Sequence, residues 1–378
     1  MTQHDVAIIG GGIAGLMSAW YLAREGGRVV LFEAGDFGAA ASGANAGSLH
    51  LQIQYPEFVK YGEDWARTYA PTLRILQASL AMWQSLGDEV GEDLDVKLGG
   101  GIVVAHDAAQ MRLIEEKAKI EATVGIETHI LNRFELRRKA PYLSEDALGG
   151  GFCAGEGKAN PLRVTPAIVR AAGAAGATLY RETPVFDLSG KAGKFSIETP
   201  RGTFRADKVI NTAGAKAADV AAMLGMKIEL SGFPLQVSVT EPIAPLIPHL
   251  VYSAAGKLSL KQATNGGCII GGGWAAHQRD NGHLATNPTN FTGNMAVAAG
   301  VVPQIANART IRSWTAWVNG TPDWRPILGE APNISGFYLA LFPWVGFSAG
   351  PMTARLISEL VLGRHLTIPL DGISVLAD

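Results

Sequence analysis

The sequence predicts an α/β chain in which a Rossmann-type domain is interleaved with an α+β domain whose sheet is mainly antiparallel. Three observations predict it. The stretch AIIGGGIAG at 7–15 joins an apolar run directly to a helix-like segment through three glycines. Strand-like and helix-like runs alternate early in the chain, whereas 234–240, 258–263 and 268–273 are strand-like runs in succession. The chain has 378 residues, 47% of them hydrophobic and 17% charged, which is enough for two cores. The segments divide as 1–85, 150–217 and 320–378 for the first domain, and 86–149 and 218–319 for the second.

In chain order, Asp5 to Ile9 reads as a strand and Gly15 to Glu25 as a helix, with Leu16, Ala19, Leu22 and Ala23 near one face. Gly26 and Gly27 end that helix, and RVVLFE (28–33) is the second strand of a βαβ unit. Residues 36–50 form a loop of small residues. Residues 57–87 read as helical through LRILQASLAMWQSLG, 95–105 as a strand or hairpin, and 108–122 as a helix. Pro161 to Gly176 is helical, and strands follow at 178–188, 194–199 and 202–211. A last helix covers 350–363 and ends at Gly363.

The glycines at the start have the spacing Gly10-x-Gly12-x-x-Gly15. Gly10 permits the tight turn out of the strand. Gly12 lets backbone approach a pyrophosphate, and Gly15 lets the helix pack on the strand. Ile13 and Ala14 complete the first turn, where free N–H groups and the helix dipole favour an anion. Glu33 ends the second strand at the distance expected for an acid that accepts from a ribose hydroxyl, with Ala34 next to it. An acid there disfavours a 2′-phosphate. The motif itself fits NAD or FAD equally.

Four further stretches resemble the FAD-dependent D-amino-acid oxidase (DAO) superfamily, which includes glycine oxidase, sarcosine oxidase and D-amino-acid dehydrogenase. The first is ASGANAGSLH (41–50), where Ser42, Asn45, Ala46 and Gly47 match the loop beside the flavin. The second is 157–185, ending in Val185, which the resemblance places at the adenine. The third is DKVINTAGAKA (207–217), with Ala213 and Gly214 next to the cofactor. The fourth is NGTPDWRPILG (319–329) with PWVGFSAGPMTARLISELVLG (343–363), which implies that Gly346, Phe347, Ser348 and Gly350 lie against the flavin. A smaller likeness, LKQATNGGCIIGGGW (260–274) with RSWTAWVNGTPD (312–323), is similar to the flavin subunits of opine oxidase, D-hydroxyproline dehydrogenase and hydrogen cyanide synthase. The implied fold is a Rossmann-type FAD-binding domain interleaved with an α+β substrate domain, as in glutathione-reductase-like and DAO proteins.

The resemblance also implies a chemistry. A neutral amine gives a hydride from its α-carbon to flavin N5, and water hydrolyses the resulting imine. The expected substrate is an amino acid or an N-substituted, opine-like or imino acid. The expected setting is the flavin subunit of a multi-subunit dehydrogenase; the alternative is a single-chain glycine, sarcosine or D-amino-acid oxidase using oxygen. Glycine oxidases carry a carboxylate-clamping arginine where this chain has Val318. His50, Lys261, Tyr252 and Arg312 are the candidates to replace it, with His50 and Lys261 the catalytic candidates and Trp274 and Trp317 candidate pocket walls. Lys261 reads equally as a solvent-facing strand position.

Composition limits the alternatives. The net charge is −2 with no basic stripe, so no nucleic-acid surface is expected. No run approaches roughly twenty apolar residues, and no cationic stretch precedes the first apolar run, so neither a membrane span nor a signal peptide is expected and the cytoplasm is the default. Two distant cysteines, Cys153 and Cys268, argue against a metal or iron–sulfur site, so electrons would leave to oxygen or to partner subunits with further redox centres.

Overall fold

A computed structural model describes residues 3–376. The first strand, Gln3–Ile9, is apolar from Val6 to Ile9 and lies in the centre of an eight-stranded sheet. It pairs in parallel with Val29–Phe32 on one side and with Gly202–Asn211 on the other. Thr178–Tyr180 and Phe337–Leu341 extend this parallel core, and Ile327–Glu330 closes one edge antiparallel. Central parallel strands are covered on both faces, which explains why their sequences read as continuous apolar runs. One face carries the helices Ile13–Arg24, Leu73–Val90, Pro161–Ala174 and Gly346–Val361, packed through Leu16, Trp83, Ile168 and Leu356. The other face is closed by Leu188, Phe195, Ile197 and Ala221.

The second sheet also has eight strands, in the order Thr310–Gly320, Ser231–Pro242, Gly267–Gly271, Ser259–Gln262, Leu250–Ser253, Gly101–Ala105, Gly149–Cys153 and His129–Asn132. All neighbours are antiparallel except Leu250–Ser253 against Gly101–Ala105. Because Gly149–Cys153 belongs to this sheet, the chain returns to the first sheet after Cys153 and not at 150.

Several elements differ from the pattern reading. The helical stretch 57–87 is two helices, Tyr55–Tyr69 and Leu73–Val90, joined by a 3-10 turn at Ala70–Thr72. The first of them breaks at Gly62, whose φ of 79° no helix accommodates. Residues 178–188 form two short strands, Thr178–Tyr180 and Asp187–Ser189, with Val185 in extended chain between them. The small-residue loop holds one helical turn, Ala41–Ala44, and a strand, Ser48–Leu49, paired with Gly157–Lys158. The last helix starts at Gly346, so Gly346, Phe347 and Ser348 are its first turn. No helix among the described residues is long and apolar enough to cross a membrane.

Candidate active site

The carboxyl ends of the parallel strands open on a cavity of about 1150 Å³. It runs from Gly10, Gly12 and Glu33 at one end to His50, Tyr252 and Trp344 at the other. At the first end Gly10 has φ of 113°, and a Cβ there would lie 2.5 Å from the Thr212 carbonyl oxygen. A Cβ on Gly15 would lie 2.0 Å from the Gly10 carbonyl oxygen, which is why the helix can sit so close to the strand. Glu33 holds the turn with both oxygens, accepting from Gly11 N–H and Gly35 N–H at 2.7 Å each. Ser42 Oγ accepts from Ile13 N–H at 2.9 Å. Asn45 folds its own loop, donating to the Ser42 carbonyl and accepting from Gly47 N–H.

Of the predicted cofactor positions, Gly10, Gly12, Ile13, Ala14, Glu33, Ala34, Ser42, Asn45, Ala46, Val185, Ala213, Gly214, Gly346, Phe347 and Ser348 line the cavity. Gly15, Gly47 and Gly350 do not, and each serves by packing. A Cβ on Gly47 would strike the Ala159 carbonyl oxygen, and one on Gly350 would meet the Ile13 side chain at 2.9 Å. The last helix presents its N-terminal turn to the cavity, and that turn is gripped from behind. The Ser348 carbonyl accepts from Ser79 Oγ at 2.7 Å and from Trp83 Nε1 at 2.9 Å. Ser348 Oγ accepts from His50 N–H and donates to the Ser48 carbonyl.

At the second end, His50 Nδ1 and the Tyr252 hydroxyl are 2.7 Å apart. Burial, helped by the Lys261 charge, pushes the His50 pKa down to about 3, so the imidazole is neutral. Lys261 is neither a solvent-facing residue nor a cavity wall. It is 1% exposed and lies behind Ser48, to whose Oγ it donates at 2.6 Å. Burial first, and then the Lys158 charge, push its pKa down to about 7. Arg312 is exposed outside the cavity. Trp317 and Val318 line the cavity, but Trp274 does not: its N–H donates to the Lys257 carbonyl and its ring lies 2.8 Å from where a Gly293 Cβ would be.

Sequence patterns did not reveal Lys257, Glu57, Gln52, Trp314 and Trp344, all of which line the cavity. Of the lysines there, Lys216 is paired with Asp219 at 3.3 Å, whereas Lys257 has no ion pair or side-chain hydrogen bond among the described residues. Glu57 is likewise without an ion pair among them, and burial raises its pKa against the lowering effect of Lys257 and Lys60. Both sit in loop or helix-start sequence with no motif around them. Trp344 adopts φ of 58°, an uncommon conformation for a bulky residue, and its ring meets Trp324 edge-on.

Residues 5–360 match the DAO family of FAD dependent oxidoreductases, and the chain belongs to it. Glycine oxidase of Geobacillus kaustophilus is 29% identical over 99% of this chain and 97% of its own, and its crystal structure superposes with a TM-score of 0.86, covering 99% of each chain. One of the opine oxidase subunits of Agrobacterium tumefaciens is 25% identical over 90% of this chain and 88% of its own. The crystal structure of L-proline dehydrogenase from P. horikoshii, 22% identical and covering 98% of this chain and 96% of its own, shares the fold with a TM-score of 0.87. The cavity suits the family's cofactor: its first end is walled by positions where a side chain would intrude, and Thr353 Oγ1, on the wall, is buried without a hydrogen-bond partner.

Proposed function

We propose that this FAD-dependent oxidoreductase oxidises the C–N bond of an amino acid or N-substituted amino acid at the His50–Tyr252 end of its cavity. The observation that carries this reading is the continuity of one cavity from the glycine turn to a pocket holding an unpaired cation, an unpaired carboxyl and aromatic walls. FAD bound along Gly10–Ala14, Ser42–Ala46 and Gly346–Ser348 supplies the two-electron acceptor. Lys257 binds the substrate carboxylate in place of the arginine absent at Val318. Trp317, Val318 and Trp344 enclose the α-carbon and its substituents and exclude water. The α C–H bond breaks with its electron pair, C=N forms, and water then hydrolyses the imine. The names of the glycine oxidase and opine oxidase relatives support this substrate class.

The test is anaerobic bleaching of the flavin by a panel of glycine, sarcosine, proline and N-carboxyalkyl amino acids. Bleaching by one of these, and not by 2-hydroxy acids, is expected; bleaching by hydroxy acids alone would overturn the reading. That some relatives are named as subunits favours a partner chain as electron acceptor. Slow reoxidation of the bleached protein in air is then expected, and rapid reoxidation would favour the single-chain oxidase.

A further inference from the structure

An amine bound at neutral pH arrives as an ammonium, and an ammonium has no lone pair with which to form C=N. One proton must therefore leave before the hydride does. Several titratable groups on the wall are committed elsewhere, and Glu57 stands under the lowering influence of the Lys257 and Lys60 charges. Glu33 is held by two backbone N–H groups, and Asp219 is paired with Lys216. His50 is buried and neutral, and with its pKa near 3 it cannot retain a proton. It is, however, the start of a chain of polar groups leading inward.

Behind His50 stands the Tyr252 hydroxyl, 2.7 Å from Nδ1. The Glu156 carboxyl lies against that same hydroxyl and, after burial, contributes to raising the tyrosine pKa. Glu156 is 0% exposed. It accepts from Leu51 N–H at 2.8 Å, Gln52 N–H at 3.0 Å and Gln52 Nε2 at 2.9 Å. The fold keeps a place for it, since a Cβ on Gly101 would lie 1.8 Å from its Oε2. Gln52 Oε1 in turn accepts from Lys117 Nζ at 3.0 Å, and Lys117 forms a wholly buried ion pair with Glu121 at 2.6 Å. Glu121 also accepts from Ile53 N–H and Thr128 Oγ1.

Glu121 is paired with Lys117, whereas Glu156 has no ion-pair partner among the described residues. The titratable groups that face it from the surrounding elements are Tyr252, Lys117, Glu121 and the Cys153 thiol. Burial is the largest influence on Glu156 and raises its pKa, and the three donors from Gln52 and Leu51, with Lys117, offset part of that rise. A buried carboxyl with no ion pair, beside a hydroxyl already hydrogen-bonded to His50, is the group placed to hold a proton at the end of this chain.

We propose that His50, Tyr252 and Glu156 form a proton relay that takes the proton from the substrate ammonium, with Glu156 as its terminal acceptor. The inference rests on the reading that an amine is oxidised here. The proton passes from the substrate nitrogen to His50 Nε2 as Nδ1–H gives its own to the Tyr252 oxygen. The Tyr252 O–H proton passes to the Glu156 carboxylate. No electrons move in this step: the N–H bond of the substrate breaks, an O–H bond forms on Glu156, and the amine lone pair becomes free. His50 faces the substrate, whereas Tyr252 and Glu156 act through it.

The experiment measures the limiting rate of anaerobic flavin reduction against pH at saturating substrate, in the FAD-loaded protein and in Glu156→Gln and Tyr252→Phe. Gln keeps an oxygen for the Leu51 and Gln52 amides but cannot take the proton, and Phe keeps the ring. In both variants the rate at pH 7 is expected to fall about 10²-fold or more, the usual worth of general base catalysis. It should recover at high pH, where the amine arrives neutral. The double variant should be no slower than either single one. Infrared difference spectra on binding a slow substrate should show a protonated carboxyl that Glu156→Gln lacks. A pH-independent loss in Glu156→Gln, or unshifted profiles in both variants, would overturn the relay alone. A wild-type flavin that no amine reduces would overturn the amine reading, and the relay with it.

Discussion

At the glycine-turn end of the cavity, proposed for the nucleotide, the wall is backbone and small side chains: Gly10, Gly12, Ala34, Ala46, Ala213 and Gly214. At the other end, proposed for the substrate, it is large and polar side chains: His50, Gln52, Tyr252, Lys257, Trp317 and Trp344. The first set comes mostly from turns that follow directly on the strands Gln3–Ile9, Val29–Phe32 and Gly202–Asn211. The second is assembled from both sheets and tied across the molecule, as by the bond from His50 N–H to Ser348 Oγ, 298 residues away. A cofactor common to a family can be met by backbone geometry that any similar sequence repeats. A substrate particular to one protein needs side chains, and these change without disturbing the strands that carry them.

The contrast between the two ends would fail first, and most visibly, at Gly12. Its Cβ would meet only the Ser42 side chain, at 3.0 Å, so Gly12→Val should fold while excluding the pyrophosphate. Purified Gly12→Val is expected to melt cooperatively and carry essentially no flavin. Full flavin content would show that the phosphates lie elsewhere. Gly15→Val, which meets backbone at 2.0 Å, should instead lose the fold itself.

Next is Lys261, which belongs to neither end. Its folded pKa, about 7, lies below the ordinary lysine value of 10.5, so between these pH values the unfolded chain holds a proton that the folded chain does not. Folding stability should therefore rise with pH across that window, by a few kcal/mol in order of magnitude. Lys261→Met should remove the rise; chemical denaturation between pH 7 and 10 checks it, and an unchanged slope would place its source elsewhere. His50 acts in a separate window: its pKa is depressed from 6.5 to about 3, so its contribution is lost as pH falls through that range.

Lys257 tests the contrast from the substrate side. A charge-assisted hydrogen bond to a carboxylate contributes roughly 1.5–3 kcal/mol, so Lys257→Ala should raise the Michaelis constant by about one to two decades. Flavin content should not change. An unaltered constant would move the carboxylate to another donor. The smallest effect is expected at Trp274, which is near the site in sequence but packs outward on Gly293: Trp274→Phe should leave turnover and flavin content as they are.

The family and the cofactor could be read from the order of the amino acids alone, and most of the residues expected at the cofactor line the cavity. The turn at Gly10 and Gly12 and the place of Glu33 beside it could be read because they depend on backbone turns and on the spacing of one βαβ unit, and both are local. The place of the loop at Ser42–Ala46 and of the turn at Gly346–Ser348 on the cavity, and the packing role of Gly15, were legible for the same reason, whereas Gly47 and Gly350 lie off the cavity and act through packing. What stands at the substrate end emerged only from the assembled fold. Lys261 and Lys257 lie four residues apart, one buried behind Ser48 and the other on the cavity wall, and no periodicity distinguishes them. Glu156 sits in a plain GEGK stretch and becomes a buried carboxylate only because Gly101, Gln52 and Tyr252 arrive around it from other strands and loops. The physical reason is that burial and charge compensation belong to what surrounds a side chain in space, and neighbours along the chain do not specify it.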